Sequence, residues 1–383
     1  MKKVLMVAAI PAIIGQYNIK NIEILQELGA QVEVACNFND ETIWKKEKND
    51  ELKNMLSNVL GVKCHQVDFV RNAKMVWTHK KPYKQIEKII KENNYDVLHC
   101  MTPIASVVTR AAARKTKVKI IYTAYGFKFY ENDAEASWAT YNRVERKYNK
   151  KTDTIIAINR DDYDVIKDTS KAKYVEYVPG LGVDIEKINA VKIDWEAKRR
   201  SLSVKDDELI FLSVGELTEN KNHRIVIEAL STLTDELKFK YFICGEGPLE
   251  AELKELIHNK GLDNKVIMLG YRDDIYELCK VSDLFIFPSK REGLALALME
   301  AVAAYVPVIC GQIKSNKDLI SDRRFFFEPR SSMDIRKTIL RAIDMSNEDY
   351  KMTLRQNFEN VKKCDIKIID EKMTEIYKRT LED

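Results

Sequence analysis

Asp283-Leu284-Phe285-Ile286-Phe287-Pro288-Ser289-Lys290-Arg291-Glu292-Gly293-Leu294-Ala295-Leu296-Ala297-Leu298-Met299-Glu300 is the stretch that decides the fold. An apolar run of strand length comes first, a short polar loop with a glycine follows, and a helix-like run continues through Ala304. An apolar strand that feeds a helix through a tight loop belongs to a parallel sheet covered on both faces. The start of a helix offers free backbone N–H groups and a partial positive charge, which suits phosphate. Glu292 and Glu300 flank the first two turns expected for that helix, eight positions apart. At about 100° per residue, eight steps return the second carboxylate to within roughly 80° of the first. Carboxylates accept hydrogen bonds from hydroxyls. The stretch therefore reads as a pocket for a molecule with a diphosphate in the middle and polyols at both ends, such as a nucleotide-sugar.

The same alternation runs outward in both directions. Strand-like segments at 3–8, 31–35, 62–67, 97–99, 118–122, 154–158 and 173–178 are separated by helical stretches at 18–28, 82–92, 104–114 and 138–149. A polar, charge-rich stretch from about 184 to 208, including Lys198-Arg199-Arg200, reads as a linker. After it the alternation restarts with 209–214, 239–244, 266–269, 284–287 and 306–310. The expected fold class is α/β, with two doubly wound Rossmann-like domains facing a cleft, residues 1–184 and 185–365. Ligands in such sheets lie at the carboxyl ends of the strands.

Composition agrees with two soluble domains. The chain has 383 residues, 45% hydrophobic and 32% charged. Its 63 Lys and Arg against 59 acids leave a net charge of +4, too small to argue for nucleic acid. Cys36, Cys64, Cys100, Cys244, Cys279, Cys310 and Cys364 form no C-x-x-C pair, and their number is odd. They read as buried thiols in a reducing, cytoplasmic compartment. The apolar run from Val4 to Ile10 resembles a signal peptide only superficially, because Gln16-Tyr17-Asn18 follows without a small-residue cleavage site. It reads as a buried first strand. No apolar stretch approaches membrane-spanning length.

The phosphate loops familiar from other α/β proteins are missing. No G-x-G-x-x-G and no Gly-Lys dipeptide occurs, which excludes a Walker-type loop. It also removes the main support for a third reading, a two-domain NAD-dependent dehydrogenase. Three other loops end strands of the second half. Val214-Gly215-Glu216-Leu217 leads to Lys221-Asn222-His223. Cys244-Gly245-Glu246-Gly247-Pro248-Leu249-Glu250 follows the next strand, with two glycines for close backbone approach and Pro248 where a helix would begin. Leu269-Gly270-Tyr271-Arg272-Asp273 follows the third. In this order, with the opening stretch fourth, they are more specific than any one alone.

With these residues in place, the chain resembles the retaining GT-B glycosyltransferases of family 4. That large family includes sucrose synthases and bacterial mannosyl- and galactosyl-transferases, and the likeness is greatest to the capsule and exopolysaccharide branch. Asn21-Ile22-Glu23-Ile24-Leu25-Gln26-Glu27-Leu28-Gly29, Val34-Ala35-Cys36-Asn37-Phe38 and Tyr122-Thr123-Ala124-Tyr125-Gly126-Phe127 carry it in the first half. The four loops carry it in the second, where Glu292 and Glu300 form the family's E-x7-E motif. The resemblance implies that Glu292 contacts the donor sugar, Glu300 the ribose and Lys221 the diphosphate. Gly215, Glu216, Gly245, Glu246, Tyr271, Arg272, Gly293, Leu294 and Ala295 complete the donor site. The acceptor side would be Gly15, Gln16, Met101, Tyr125 and Lys128. No cofactor and no metal are expected, because Lys221 and the helix start carry the leaving-group charge. A helix over 366–383 is expected to cross back onto the first domain.

The departures from the family fall mostly in the first half. Tyr125 occupies a position where the family often has histidine, and Lys128 one where a second histidine is common. The branch pattern H-C-H-T-P reads His99-Cys100-Met101-Thr102-Pro103, followed by Ala105-Ser106 in place of a glycine pair. Tyr305 replaces a glycine. Glu216 occupies the position of a diphosphate-binding arginine of many relatives. A carboxylate about 4 Å from a phosphate costs on the order of 1–4 kcal/mol, so Glu216 is expected to turn away or to pair with a cation. His99 reads as a core histidine and His223 as an exposed residue at a helix start. Glu292 and Glu300 as plain surface carboxylates, Lys221 as a plain surface lysine and Tyr125 as a packed loop aromatic are the competing structural readings.

A further run, Arg71 to Lys91, holds seven basic residues with Val76, Trp77 and Tyr83 interleaved; Arg110 to Lys119 adds five. Such a face suits anionic headgroups, and it equally suits a solvated helix. Two functions follow. One is a retaining hexosyl- or N-acetylhexosaminyl-transferase that moves a sugar from a UDP-linked donor to a saccharide acceptor. That acceptor would be lipid-diphosphate-linked and met at the inner face of the plasma membrane. Closure of the two domains would exclude water there. The other is a catalytically silent GT-B subunit that binds nucleotide-sugar or glycan and supports an active transferase.

Overall fold

The computed structural model describes residues 1–70, 79–125, 147–180, 182–293 and 295–383. Contacts divide it into two compact units. The first is Met1–Leu181 together with Lys367–Asp383, and the second is Gly182–Ile366. The expected helix at 138–149 falls mostly outside the described residues, and so do Lys128, Leu294 and the run 71–78.

The first unit is built on a sheet of seven described strands. These are β1 (Lys3–Val7), β2 (Gln31–Cys36), β3 (Lys63–Gln66), β4 (Val97–Met101), β5 (Lys119–Ala124), β6 (Thr154–Ala157) and β7 (Tyr174–Tyr177). All pairings are parallel, in the order β3-β2-β1-β4-β5-β6-β7. The start of the chain is thus a buried central strand, with Val4 to Val7 inaccessible. The first expected helix is two helices, Pro11–Tyr17 and Ile19–Glu27. Asn18 joins them: its Nδ2 donates to the Ile13 carbonyl at 2.8 Å and takes the chain out of helical register. The helix Ile366–Glu382 lays Ile369, Met373, Ile376 and Tyr377 into the same core as Val4, Met6 and Met101.

The second unit repeats the design with β8 (Leu209–Val214), β9 (Phe239–Cys244), β10 (Val266–Gly270), β11 (Leu284–Phe287), β12 (Val308–Gly311) and β13 (Phe326–Phe327). Their order is β10-β9-β8-β11-β12-β13, again all parallel. The two-residue β13 is too short to leave a pattern in the sequence. In both units the chain winds out from one central strand and then reverses past it, placing the switch between β1 and β4 and between β8 and β11. A crevice opens at such a point beyond the carboxyl ends of the strands.

The stretch read as a linker is part of the second unit. It forms the helices Ile185–Ala190 and Trp195–Ser201, capped by the side chains of Asp184 and Asp194. Val183, Ile185, Ile188 and Val204 are buried in the unit's core. Two of the stretch's charges are engaged in the packing. Lys198 pairs with Asp274 and Glu277, and Arg199 donates to the Lys205 and Glu208 carbonyls at 2.8 and 2.6 Å. Helices of one or two turns carry too few apolar positions to show a period, and their paired charges read as polarity. Six of the seven cysteines are buried free thiols, and Cys64 is partly buried.

Candidate functional site

The crevice between β8 and β11 collects the charged residues singled out in the sequence. Lys221 Nζ lies 2.6 Å from Glu292 Oε1, with side-chain exposures of 24% and 9%. The ammonium also lies 5.6 Å from the Phe287 ring centroid, a face that favours a cation. Asn222 fixes this arrangement. It holds the left-handed conformation (φ 60°) at the start of the helix His223–Leu230. Its Nδ2 donates to the carbonyls of Pro288 and Pro329, at 3.1 and 2.8 Å. Asn220 adds a bond to the Arg291 carbonyl at 2.8 Å, and the Lys290 N–H donates to Asn220 at 2.9 Å. The loops after β8 and β11 are thereby stitched together, which fixes where Lys221 meets Glu292. Sequence reading missed Asn222; the signal was available, because Asn is the non-glycine residue that best tolerates this conformation.

The glycines are explained by backbone proximity. A Cβ on Gly245 (φ 144°) would lie 2.0 Å from the Gly215 carbonyl oxygen, and one on Gly247 would lie 2.6 Å from that of Leu217. Gly215 N–H donates to Cys244, Leu217 N–H to Glu246 and Gly245 N–H to Gly270, at 2.9, 2.9 and 2.8 Å. Three strand-end loops form one backbone surface beside Lys221. Glu246 is exposed on it. Glu216 is exposed and has no ion pair among the described residues.

The opening stretch differs from its expectation in one respect. The helix begins at Leu296, with Ala295 as its N-cap, and runs to Ala303. Glu292 and Gly293 precede it outside the helical turns, so the eight-step helical argument does not relate Glu292 to Glu300. Glu292 pairs with Lys221 from the loop, whereas Glu300 lies in the second helical turn. Glu300 is largely buried, which pushes its pKa up to about 7, while a hydrogen bond from the Tyr276 hydroxyl (3.3 Å) and the charge of Lys187 pull it down. Tyr271 is 63% exposed. Arg272 is bound through Nε and Nη2 to Asp274, which also holds Lys198, and these cations keep the Asp274 carboxyl well below its ordinary range. The helix after Gly247 starts at Glu250, two residues beyond Pro248.

His223 is buried, not exposed as expected, and neither ring nitrogen finds a hydrogen-bond partner among the described residues. Burial pushes its pKa down to about 4; the nearby Gly215 backbone opposes this and the Lys221 charge adds to it. Tyr305 holds φ 59°, the backbone that a glycine would serve, and its ring stacks on Phe358 at 4.2 Å.

In the first unit the residues expected on the acceptor side have varied surroundings. Gly15 lies against Trp44, where a Cβ would come within 2.4 Å of the indole. Gln16 is exposed, and Met101 is fully buried in the core. The Tyr125 hydroxyl accepts from Asn18 Nδ2 at 2.9 Å, and burial raises its pKa. His99 is the core histidine expected, held by Thr123 Oγ1 and the Tyr377 hydroxyl at 2.8 Å each, with burial pushing its pKa down to about 3. On the helix Lys80–Asn93, Lys81, Lys88 and Lys91 pair with Asp68, Glu92 and Glu87. Arg110, counted with the second basic run, is buried, with its guanidinium over the Tyr122 ring at 4.5 Å. No described helix is long and apolar enough to cross a membrane. Among the described residues no group of three or more His, Cys, Asp or Glu gathers as a metal site.

Comparison with known proteins agrees with this layout. The family described as "Glycosyl transferases group 1" matches residues 194–360, and "Glycosyl transferase 4-like" matches residues 6–159. A Bacillus subtilis relative with a provisional glycosyltransferase name, EpsD, is 31% identical over 63% of this chain and 65% of its own length. The UDP-Gal:alpha-D-GlcNAc-diphosphoundecaprenol alpha-1,3-galactosyltransferase of Escherichia coli is 26% identical over 68% of this chain and 67% of its own. The matches thus span about two thirds of the length of these relatives. Among solved structures, Anabaena Alr3699/HepE in complex with UDP and glucose superposes with a TM-score of 0.75 over 98% of this chain and 99% of that one, at 19% identity. That likeness places both units in the GT-B fold.

Proposed function

Because this chain belongs to the glycosyltransferases that these two family models describe, we propose that it moves a hexose or N-acetylhexosamine from a UDP-sugar to a saccharide acceptor on a lipid diphosphate, with retention at the anomeric carbon, in surface-polysaccharide synthesis. The observation that carries this is the Lys221–Glu292 pair at the β8–β11 crevice, beside a surface of backbone from three glycine loops. In this proposal Lys221 leaves Glu292 for the diphosphate, supplying the charge that a divalent cation would otherwise supply. Glu292, released, accepts hydrogen bonds from the sugar, and Glu300 from the ribose. The bond from the anomeric carbon to the diphosphate oxygen breaks. The acceptor hydroxyl bonds to that carbon on the face the nucleotide leaves, and its proton passes to the departing diphosphate.

The UDP donor is supported by the UDP complex of the Anabaena neighbour, and the lipid-linked acceptor by the name of the Escherichia coli relative. The working place would be the cytoplasmic face of the membrane, with the helix Lys80–Asn93 as a peripheral contact. A silent subunit that binds the donor is the rival reading, and Tyr125 favours it, since its hydroxyl is already bound by Asn18. Release of UDP from UDP-sugars, with and without a lipid-linked saccharide extract, decides between them. UDP release that depends on the extract supports the transferase. Binding of UDP-sugar in calorimetry with no release under any condition sinks it.

A further inference from the structure

Glu300 is supported from two neighbouring helices. From Ile275–Val281, Tyr276 donates its hydroxyl to Glu300 Oε1 at 3.3 Å, and Cys279 also lies within electrostatic reach. From Ile185–Ala190, the Lys187 charge acts on Glu300, and its ammonium lies 6.0 Å from the Tyr276 ring centroid. Asp184, the N-cap of that helix, acts on Tyr276 with the opposite sign. The Tyr276 bond is the only hydrogen bond to the Glu300 carboxylate among the described residues. One carboxylate oxygen is therefore held by the protein, and the other is left for a ligand.

We infer that Tyr276 is a positioning residue for Glu300, and that Lys187 assists it: the phenol pins one carboxylate oxygen so that the other meets the vicinal hydroxyls of the donor's ribose. This rests on the proposed donor reading, in which Glu300 binds the ribose. An ionised carboxylate offers both oxygens as acceptors, whereas protonation turns one of them into a donor. Burial opposes that ionisation, and Tyr276 and Lys187 are the groups that favour it. Tyr276 itself is pushed up to about 12 by burial and the Glu300 charge, so it remains a proton donor over the physiological range. Neither Tyr276 nor Lys187 was noticed in the sequence, where both look like ordinary helix residues.

The test is UDP binding by calorimetry from pH 5.5 to 8.5, with 2′,3′-dideoxy-UDP as the second ligand. In the wild type, UDP affinity is expected to rise with pH through a midpoint near the Glu300 value of about 7. Tyr276→Phe keeps the ring and loses the bond. It is expected to weaken UDP about three- to tenfold at pH 7 and to move the midpoint up by about half to one unit, with little effect on the dideoxy ligand. Lys187→Met, at an exposed site that puts no core at risk, is expected to act in the same direction and less. Unchanged affinity and midpoint in Tyr276→Phe overturn the inference and leave the donor reading intact. Wild-type UDP affinity in Glu300→Gln, or no UDP binding by the wild type, overturns the donor reading and this inference with it.

Discussion

The two units share one strand order through six strands and differ in what fills their switch points. Between β8 and β11 lies a partly exposed ion pair, Lys221 with Glu292, set against a backbone surface that tolerates no Cβ at Gly245 or Gly247. Beside β4 in the first unit, Met101 is buried, His99 is neutral and twice hydrogen-bonded, and Tyr125 is tied to Asn18. Topology provides a crevice in both cases. Among the described residues, the second holds a side-chain ion pair, Lys221 with Glu292, that a charged ligand can displace, and those named beside β4 hold none. A Rossmann-like crossover is therefore a location for chemistry, and the side chains decide whether any is there.

The difference can be attacked by substitution. Lys221→Ala removes the cation that the leaving diphosphate needs, and kcat for sugar transfer should fall about 10²- to 10³-fold. A loss of less than about threefold would remove the lysine from the mechanism. Gly245→Ala should destabilise the second unit by about 3 kcal/mol or more in denaturant unfolding, because the added Cβ meets a backbone oxygen at φ 144°. Gly29→Ala in the first unit has φ 78° but open space, so about 1 kcal/mol is expected there.

Glu300→Gln should stabilise the free protein. The carboxyl titrates at about 7 in the folded chain against an ordinary 4.5. Between those values the folded state holds a proton that the unfolded state has released, so stability falls as pH rises through this window and the cost is complete above it. Glutamine removes that cost, on the order of 1–3 kcal/mol at pH 8 and almost nothing at pH 4. A melting-temperature gain that does not depend on pH would contradict this.

The two buried histidines give the smallest contrast. His99→Phe strands Thr123 and Tyr377 and should cost about 1–3 kcal/mol. His223→Phe loses no more than a weak contact with the Gly215 backbone and should cost less than about 1 kcal/mol. Both histidines have lowered pKa values, so below about 6.5 the unfolded chain takes up protons that the folded one refuses. Stability therefore falls as pH drops, and each substitution should flatten that acid limb in urea unfolding.

The strand segments and the four strand-end loops were legible because buried parallel strands are apolar throughout and glycines mark close backbone approach. Less was legible where side chains act through partners. Residues 184–208 look like a linker because Lys198 and Arg199 are polar in sequence, and only their bonds to Asp274, Glu277 and nearby carbonyls reveal a packed segment. Glu292 was picked for a helical spacing that does not exist, since the helix starts at Leu296. The residue was still found, because the motif carried it. Asn222 and Tyr276 escaped because one acts through its backbone conformation and the other across a helix packing that no local pattern records.

The central claim is that the donor nucleotide binds at the β8–β11 crevice. Hydrogen exchange of the wild-type protein with and without saturating UDP tests it most directly. Protection is expected in the loops at 215–223, 245–250 and 288–300, with none at 8–18 or 99–106. Protection confined to the first-unit segments, with the second-unit loops unchanged, would contradict it.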